Sequence, residues 1–209
     1  FRLDATPATQ FTYLALSTPE QEGFGVLDSS GAQGVFAGAT WYFDGAQVDP
    51  ATVAGLIAAD AGTGAWHFIC VTGMPALSTP LVSQLHIELG GIGVATSTPR
   101  NGCAGSVGVV VTYTGLGRPL TLTEHLKNYA YFSGTLNDLS TVSQDGLVAW
   151  YDPADPRSYT AGDNKLLNKV GHGQLSLDSA SVDPTGNIVI NQYGRLNGNW
   201  CTVDDSTPA

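Results

Sequence analysis

The sequence predicts an all-β protein, an antiparallel sandwich or jelly roll carrying one or two short helices, and three observations lead there. Short runs of β-branched and aromatic residues recur along the chain. The runs are separated at short intervals by turn formers, with 26 Gly and 11 Pro in 209 residues. Long helical periodicity is missing outside two segments, so many short strands are the economical reading.

In chain order, "QFTYLAL" and "GFGVLD" read as the first strands. "GVFAGATWYFDGAQV" follows, with Asp44-Gly45 between an aromatic run and a short apolar one, the residue pair that a two-residue hairpin turn favours. Residues 49 to 60, "DPATVAGLIAAD", place Val53, Leu56 and Ile57 at helical spacing and predict a short helix. "WHFICVTG", "LVSQLHIELGG" and "SVGVVVTYTG" return to strand. Residues 119 to 132, "PLTLTEHLKNYAYF", predict a helix more strongly: Thr121 and Glu124 stand in capping-box register, and Leu122, Leu126 and Tyr129 share one face. The polar stretch 135 to 145 reads as a linker, and "LVAWYD", "QLSL" and "NIVINQYG" are strands beyond it.

Composition narrows the partners. Charged residues make up 12% of the chain, well under the usual ~25%, so the surface is largely neutral and polar. The formal charge is −10, and the 8 basic residues, among them Arg100, Arg118, Lys127, Arg157, Lys165, Lys169 and Arg195, are scattered; this argues against nucleic acid. No apolar run approaches the ~18 residues of a spanning helix, so no membrane span is expected. The chain opens on Phe1 without a signal-peptide pattern and reads as processed or excerpted. Cys70, Cys103 and Cys201 are widely spaced and lack a Cys-x-x-Cys pair. They fit buried small hydrophobes, although one disulfide among them is open.

"GAWHFICVTG", "LHIELGG" and "GCAGSVGVVVTYTGLGRPLTLTEHLKNYAYFSG", spanning roughly residues 64 to 134, resemble the later part of a concanavalin A-like, laminin-G-type jelly roll. "GLVAWYDPADPRSYTAGDNKLLNKVGHGQLSL" resembles the opening of the same domain type, yet here it comes second. The resemblance implies that residues 1 to 134 are a late portion, 135 to 145 a linker and 146 to 209 early strands. Three arrangements fit: one permuted sandwich, exchange of halves between chains, or two shortened domains. Closure, within one chain or between subunits, is preferred because an isolated early half would leave strand edges unpaired.

Trp66 and His67 raise the question of site or scaffold. Alternation along a strand would send Trp66 into the core and leave His67 solvated, with no carboxylate near it in sequence, which reads as scaffold. Asp152-Pro153 and Asp155-Pro156 set carboxylates in a loop that suits Ca²⁺ ligation or plain turn initiation. Several glycoside hydrolases share the resembled fold, but Glu20, Glu22, Glu88 and Glu124 form no paired-acid strand motif, "GHG" at 171 to 173 reads as a turn, and no nucleophile elbow occurs. Catalytic residues are therefore not assigned. Trp41, Tyr42, Asp44, Tyr151 and Asp152 are the candidate ligand-binding residues, because sugars stack on aromatic rings and hydrogen-bond to carboxylates; core packing is the competing role.

The function expected is a noncatalytic, extracellular or virion-surface structural or attachment protein. The alternatives are a carbohydrate-binding lectin module and an endoglycanase. Expected partners are further copies in a homo-oligomer, and cell-surface glycan or other virion proteins, without a required cofactor.

Overall fold

The computed structural model describes residues 1–5, 12–17, 23–74, 86–90, 103–113, 118–134, 142–171, 173–177, 180–190, 192–193, 197–198 and 201–204. Its elements in chain order are β1 (Arg2–Leu3), β2 (Thr12–Ser17), β3 (Gly25–Asp28), β4 (Gly31–Gly34), β5 (Thr40–Phe43), β6 (Ala46–Val48), α1 (Val53–Ala59), β7 (Ile69–Thr72), β8 (His86–Leu89), β9 (Gly105–Val107) and β10 (Val110–Tyr113). Then come α2 (Leu122–Phe132), β11 (Leu147–Tyr151), β12 (Lys165–Leu167), β13 (Gln174–Ser176), β14 (Ser181–Val182), β15 (Ile188–Ile190), β16 (Gln192–Tyr193), β17 (Asn197–Gly198) and β18 (Cys201–Asp204). Among the described residues every strand pairing is antiparallel. The all-β class with short helices is thus present.

The widest sheet has seven strands in the order β12-β13-β18-β8-β2-β3-β4. It interleaves the two sequence portions, because β18 lies between β13 and β8, with Cys201 opposite Leu89 and Asp204 opposite His86. A four-stranded sheet, β1-β9-β15-β14, does the same. "GLVAWYDP" pairs as expected with a strand from before residue 134: β11 runs against β10, Val110 opposite Tyr151 and Val111 opposite Trp150. These pairings form within one chain. Of the segment read as a linker, residues 142 to 145 are described: Val142 is buried, Ser143 donates its backbone N–H to Asn128 Oδ1 at 3.1 Å, and Gln144 and Asp145 are exposed.

Apolar side chains collect in two clusters. Leu3, Leu16, Leu27, Phe36, Trp41, Val53, Ile57 and Cys103 form one, and Val107, Tyr151, Leu166, Leu175, Leu177, Ile188 and Ile190 form the other. Phe1 and Ile87 pack against both. Gly90, with φ of 81°, sits where a Cβ would come within 2.6 Å of Ile190 Cγ2, so it lets a residue of the second cluster approach β8 closely.

The helices form where the pattern placed them, with a correction to the face that each buries. In α1, Val53 and Ile57 are buried, but Leu56 is exposed. In α2, the capping box is complete, Thr121 Oγ1 accepting from Glu124 N and Glu124 Oε2 accepting from Thr121 N. Its buried face, however, carries His125 and Asn128, while Leu122 and Leu126 are exposed. The cap fixes where a helix begins but not which way it is turned. The turn is set by the aromatic and polar partners on the sheet side: Tyr42 stacks on His125 at 4.2 Å, and Asn128 Nδ2 donates to Tyr113 Oη at 2.9 Å.

Candidate functional site

The β5–β6 hairpin turn is the two-residue type expected: Asp44 and Gly45 both take positive φ, 50° and 85°, and Phe43 lies opposite Ala46. That turn aims the Asp44 carboxylate at the segment before β7. Oδ1 accepts the Phe68 backbone N–H at 2.8 Å, and Oδ2 lies 2.7 Å from His67 Nδ1. A carboxylate only accepts, so Nδ1 is the protonated, donating nitrogen. On the other side of the ring, Asp60 Oδ2 is 3.4 Å from His67 Nε2, a charge contact without the alignment of a hydrogen bond. Phe43 lies against the imidazole at 4.6 Å between ring centres.

This reverses the expectation for Trp66 and His67. His67 is buried and Trp66 exposed, and His67 does have a carboxylate partner. Both residues precede β7 and lie outside it, so the alternation of a strand does not govern them. An imidazole held by a carboxylate is half of a general-base arrangement. Its Nε2 makes no hydrogen bond to a hydroxyl or thiol, and the ring is shut from solvent. The pair instead staples the hairpin turn to the chain at Phe68.

The five candidate ligand-binding residues are dispersed into different roles. Trp41 is wholly buried, donating its indole N–H to Phe36 O at 2.9 Å and meeting the Phe36 ring edge-on at 5.3 Å. Tyr42 is covered by His125, and Tyr151 lies in the second core cluster. These three rings therefore offer no open face for a sugar. Asp44 is committed to His67 and Phe68.

Asp152 and Asp155 face a cation of their own chain. Lys169 Nζ is 2.8 Å from Asp155 Oδ2 and 3.4 Å from Asp152 Oδ2, and it rests over the Trp150 ring at 4.3 Å. Arg157 adds a contact of 2.7 Å to Asp155, and the hydrogen bonds from Arg157 and Lys169 hold the Asp155 carboxyl well below the usual range. A calcium ion would have to compete with that ammonium for the same oxygens. Both Asp side chains also initiate turns, accepting from Ala154 N at 3.1 Å and Arg157 N at 2.8 Å. Among the described residues, no three His, Cys, Asp or Glu side chains converge as a metal site.

Three further titratable groups are shifted by their surroundings. Glu124 is lowered to about 2 by paired hydrogen bonds from Arg118, at 2.8 and 2.9 Å, and by Thr121. Burial raises the Cys70 and Cys103 thiols to about 12, which makes them inert rather than nucleophilic, and both are unpaired. Glu20, Glu22 and His172 lie outside the described residues, as does the side chain of Glu88. The roles of His125, Asp60 and Lys169 carry no motif in the sequence, since each depends on a contact with a residue at least seven positions away.

Comparison with known proteins adds no relative: no family model, curated protein or solved structure matches this chain. Among the described residues, fold and site together define it as an antiparallel all-β protein with short helices. Among the described residues, no helix is long and apolar enough to cross a membrane.

Proposed function

We propose that the chain is a noncatalytic structural or attachment module of a virion surface or extracellular assembly, built as a jelly-roll-like sandwich. One observation supports this reading: among the described residues, three acid-bearing clusters that chemistry could recruit are paired within the molecule. His67 is sealed between Asp44 and Asp60, Glu124 is held by Arg118, and Asp155 is held by Arg157 and Lys169. Such groups fix turns and helix ends, which suits a rigid display scaffold. The low content of charge leaves a neutral polar exterior. The module works as a homo-oligomer, the form in which weak individual contacts gain avidity.

A lectin role is the second reading, favoured by the exposed indole of Trp66. The experiment that tests attachment is adsorption of fluorescently labelled protein to cell surfaces and to glycan-coated beads, with the native mass measured alongside. Saturable adsorption by an oligomer supports the proposal. A nonadhesive monomer overturns it.

A further inference from the structure

Trp66 is the most exposed of the described tryptophans. It is 42% exposed, yet the Arg2 guanidinium lies over its ring at 5.1 Å. Arg2 is itself pinned, Nε to Asp4 Oδ1 at 2.9 Å and Nη2 to Ser106 Oγ at 3.0 Å. Arg2 covers part of the ring, and the exposed remainder is what a ligand could reach. The Cζ3 edge of the indole borders Gly108, where a Cβ would lie 3.7 Å from Trp66 Cζ3 and 3.8 Å from Asn187 Oδ1. The bare glycine therefore leaves a methyl-sized gap between an aromatic platform and a carbonyl acceptor.

The direction of that acceptor is fixed. Asn187 Nδ2 donates to Thr185 Oγ1 at 2.7 Å and to Asp183 Oδ2 at 3.3 Å, while the Thr185 hydroxyl is spent on Asp183 Oδ1 at 2.7 Å. Only the amide oxygen of Asn187 is left to face Gly108, because two acceptors demand that the NH₂ group point to the turn. A flat apolar surface with a fixed hydrogen-bond acceptor at its rim fits a ligand that is apolar on its face and hydroxylated at its edge. A pyranose ring has that chemistry.

We propose that Trp66, Gly108 and Asn187 form a stacking site for a neutral pyranose. The indole takes the C–H face of the ring, and Asn187 Oδ1 accepts a sugar hydroxyl across Gly108. An acidic sugar is disfavoured. The hydrogen-bonding edge of Arg2 is already directed to Asp4 and Ser106, Asp183 lies behind Asn187, and the chain carries −10 overall. The site rests on the attachment reading and gives it a ligand class.

The test is titration of the full chain with the methyl glycosides of glucose, galactose, mannose, N-acetylglucosamine and glucuronate, followed through the Trp66 indole N–H resonance. At least one neutral glycoside shifts that resonance, and glucuronate binds less tightly. Trp66→Ala weakens binding about tenfold or more, as a central stacking residue should. Gly108→Ala, whose methyl makes only ordinary contacts, leaves the fold intact and weakens binding severalfold by filling the gap. The site is overturned if no neutral glycoside moves the Trp66 signal, if glucuronate binds best, or if binding survives both substitutions. Continued adsorption of the labelled protein to cells under any of these outcomes removes the site alone; loss of adsorption as well removes the attachment reading with it.

Discussion

Asp44 and His67 stand 2.7 Å apart although 23 positions separate them, and the hairpin turn makes the contact. The carboxylate does two jobs, orienting the imidazole and accepting the Phe68 N–H. Asp44→Asn keeps a residue that tolerates positive φ but offers one carbonyl oxygen to two donors. We expect a loss of about 1–3 kcal/mol in urea unfolding, from a buried donor left without its charged acceptor; an unchanged midpoint would show that the pair holds nothing. His125 supplies a second prediction. It is wholly buried with no hydrogen-bond partner on either nitrogen, packed by Tyr42 and Phe68, and burial lowers its pKa to about 4. The unfolded chain binds that proton near pH ~6.5. Stability is therefore full above pH ~6.5 and declines as the pH falls toward about 4, by up to about 3 kcal/mol. His125→Phe flattens this slope, and an identical slope in the variant would refute the assignment. At this scale the sequence was a poor guide: Trp66 and His67 exchanged their expected roles, since the segment that holds them is not a strand.

Elements were more legible than the faces they bury. The capping box of α2 follows from Thr121 and Glu124 alone, because both partners lie within one turn. Thr121→Ala should cost about 0.5–2 kcal/mol, read from thermal or urea unfolding. Glu124→Gln should reduce stability modestly and leave adsorption unchanged, whereas loss of adsorption by a folded variant would place Glu124 in the binding surface. The rotation of α2 was hidden because it is set by the β5–β6 turn and by Tyr113, remote in sequence. A Cβ at Gly45 would be 3.1 Å from Tyr129 Cδ1, which shows how closely that turn approaches the helix. The end of β4, where Gly34 lies opposite Gly25 of β3, is tighter still. Gly34 has φ of 59°, and a Cβ there would overlap the Phe24 carbonyl. Gly34→Ala should therefore destabilise the edge of the seven-stranded sheet, seen as faster amide exchange in β3 and β4 than in β11.

Over the whole molecule, strands from before and after residues 135 to 145 share sheets, and Phe1 and Ile87 touch both core clusters. Repeated turns and β-branched runs made the all-β class legible, but strand order was not, because the pairing of β18 with β8 joins residues more than 100 positions apart. Leu27→Ala and Leu175→Ala, one in each cluster, should each cost about 2–5 kcal/mol and shift a single common transition. Two separate transitions would mean that the clusters fold independently. On the proposed function, this interleaved body is a scaffold that binds without turnover. Its most direct test is to incubate the protein with polysaccharide-coated beads and measure retained protein and released reducing ends in the same sample. Retention with no reducing ends above the heat-inactivated control is the predicted result; reducing ends that accumulate with time, or no retention at all, would contradict it.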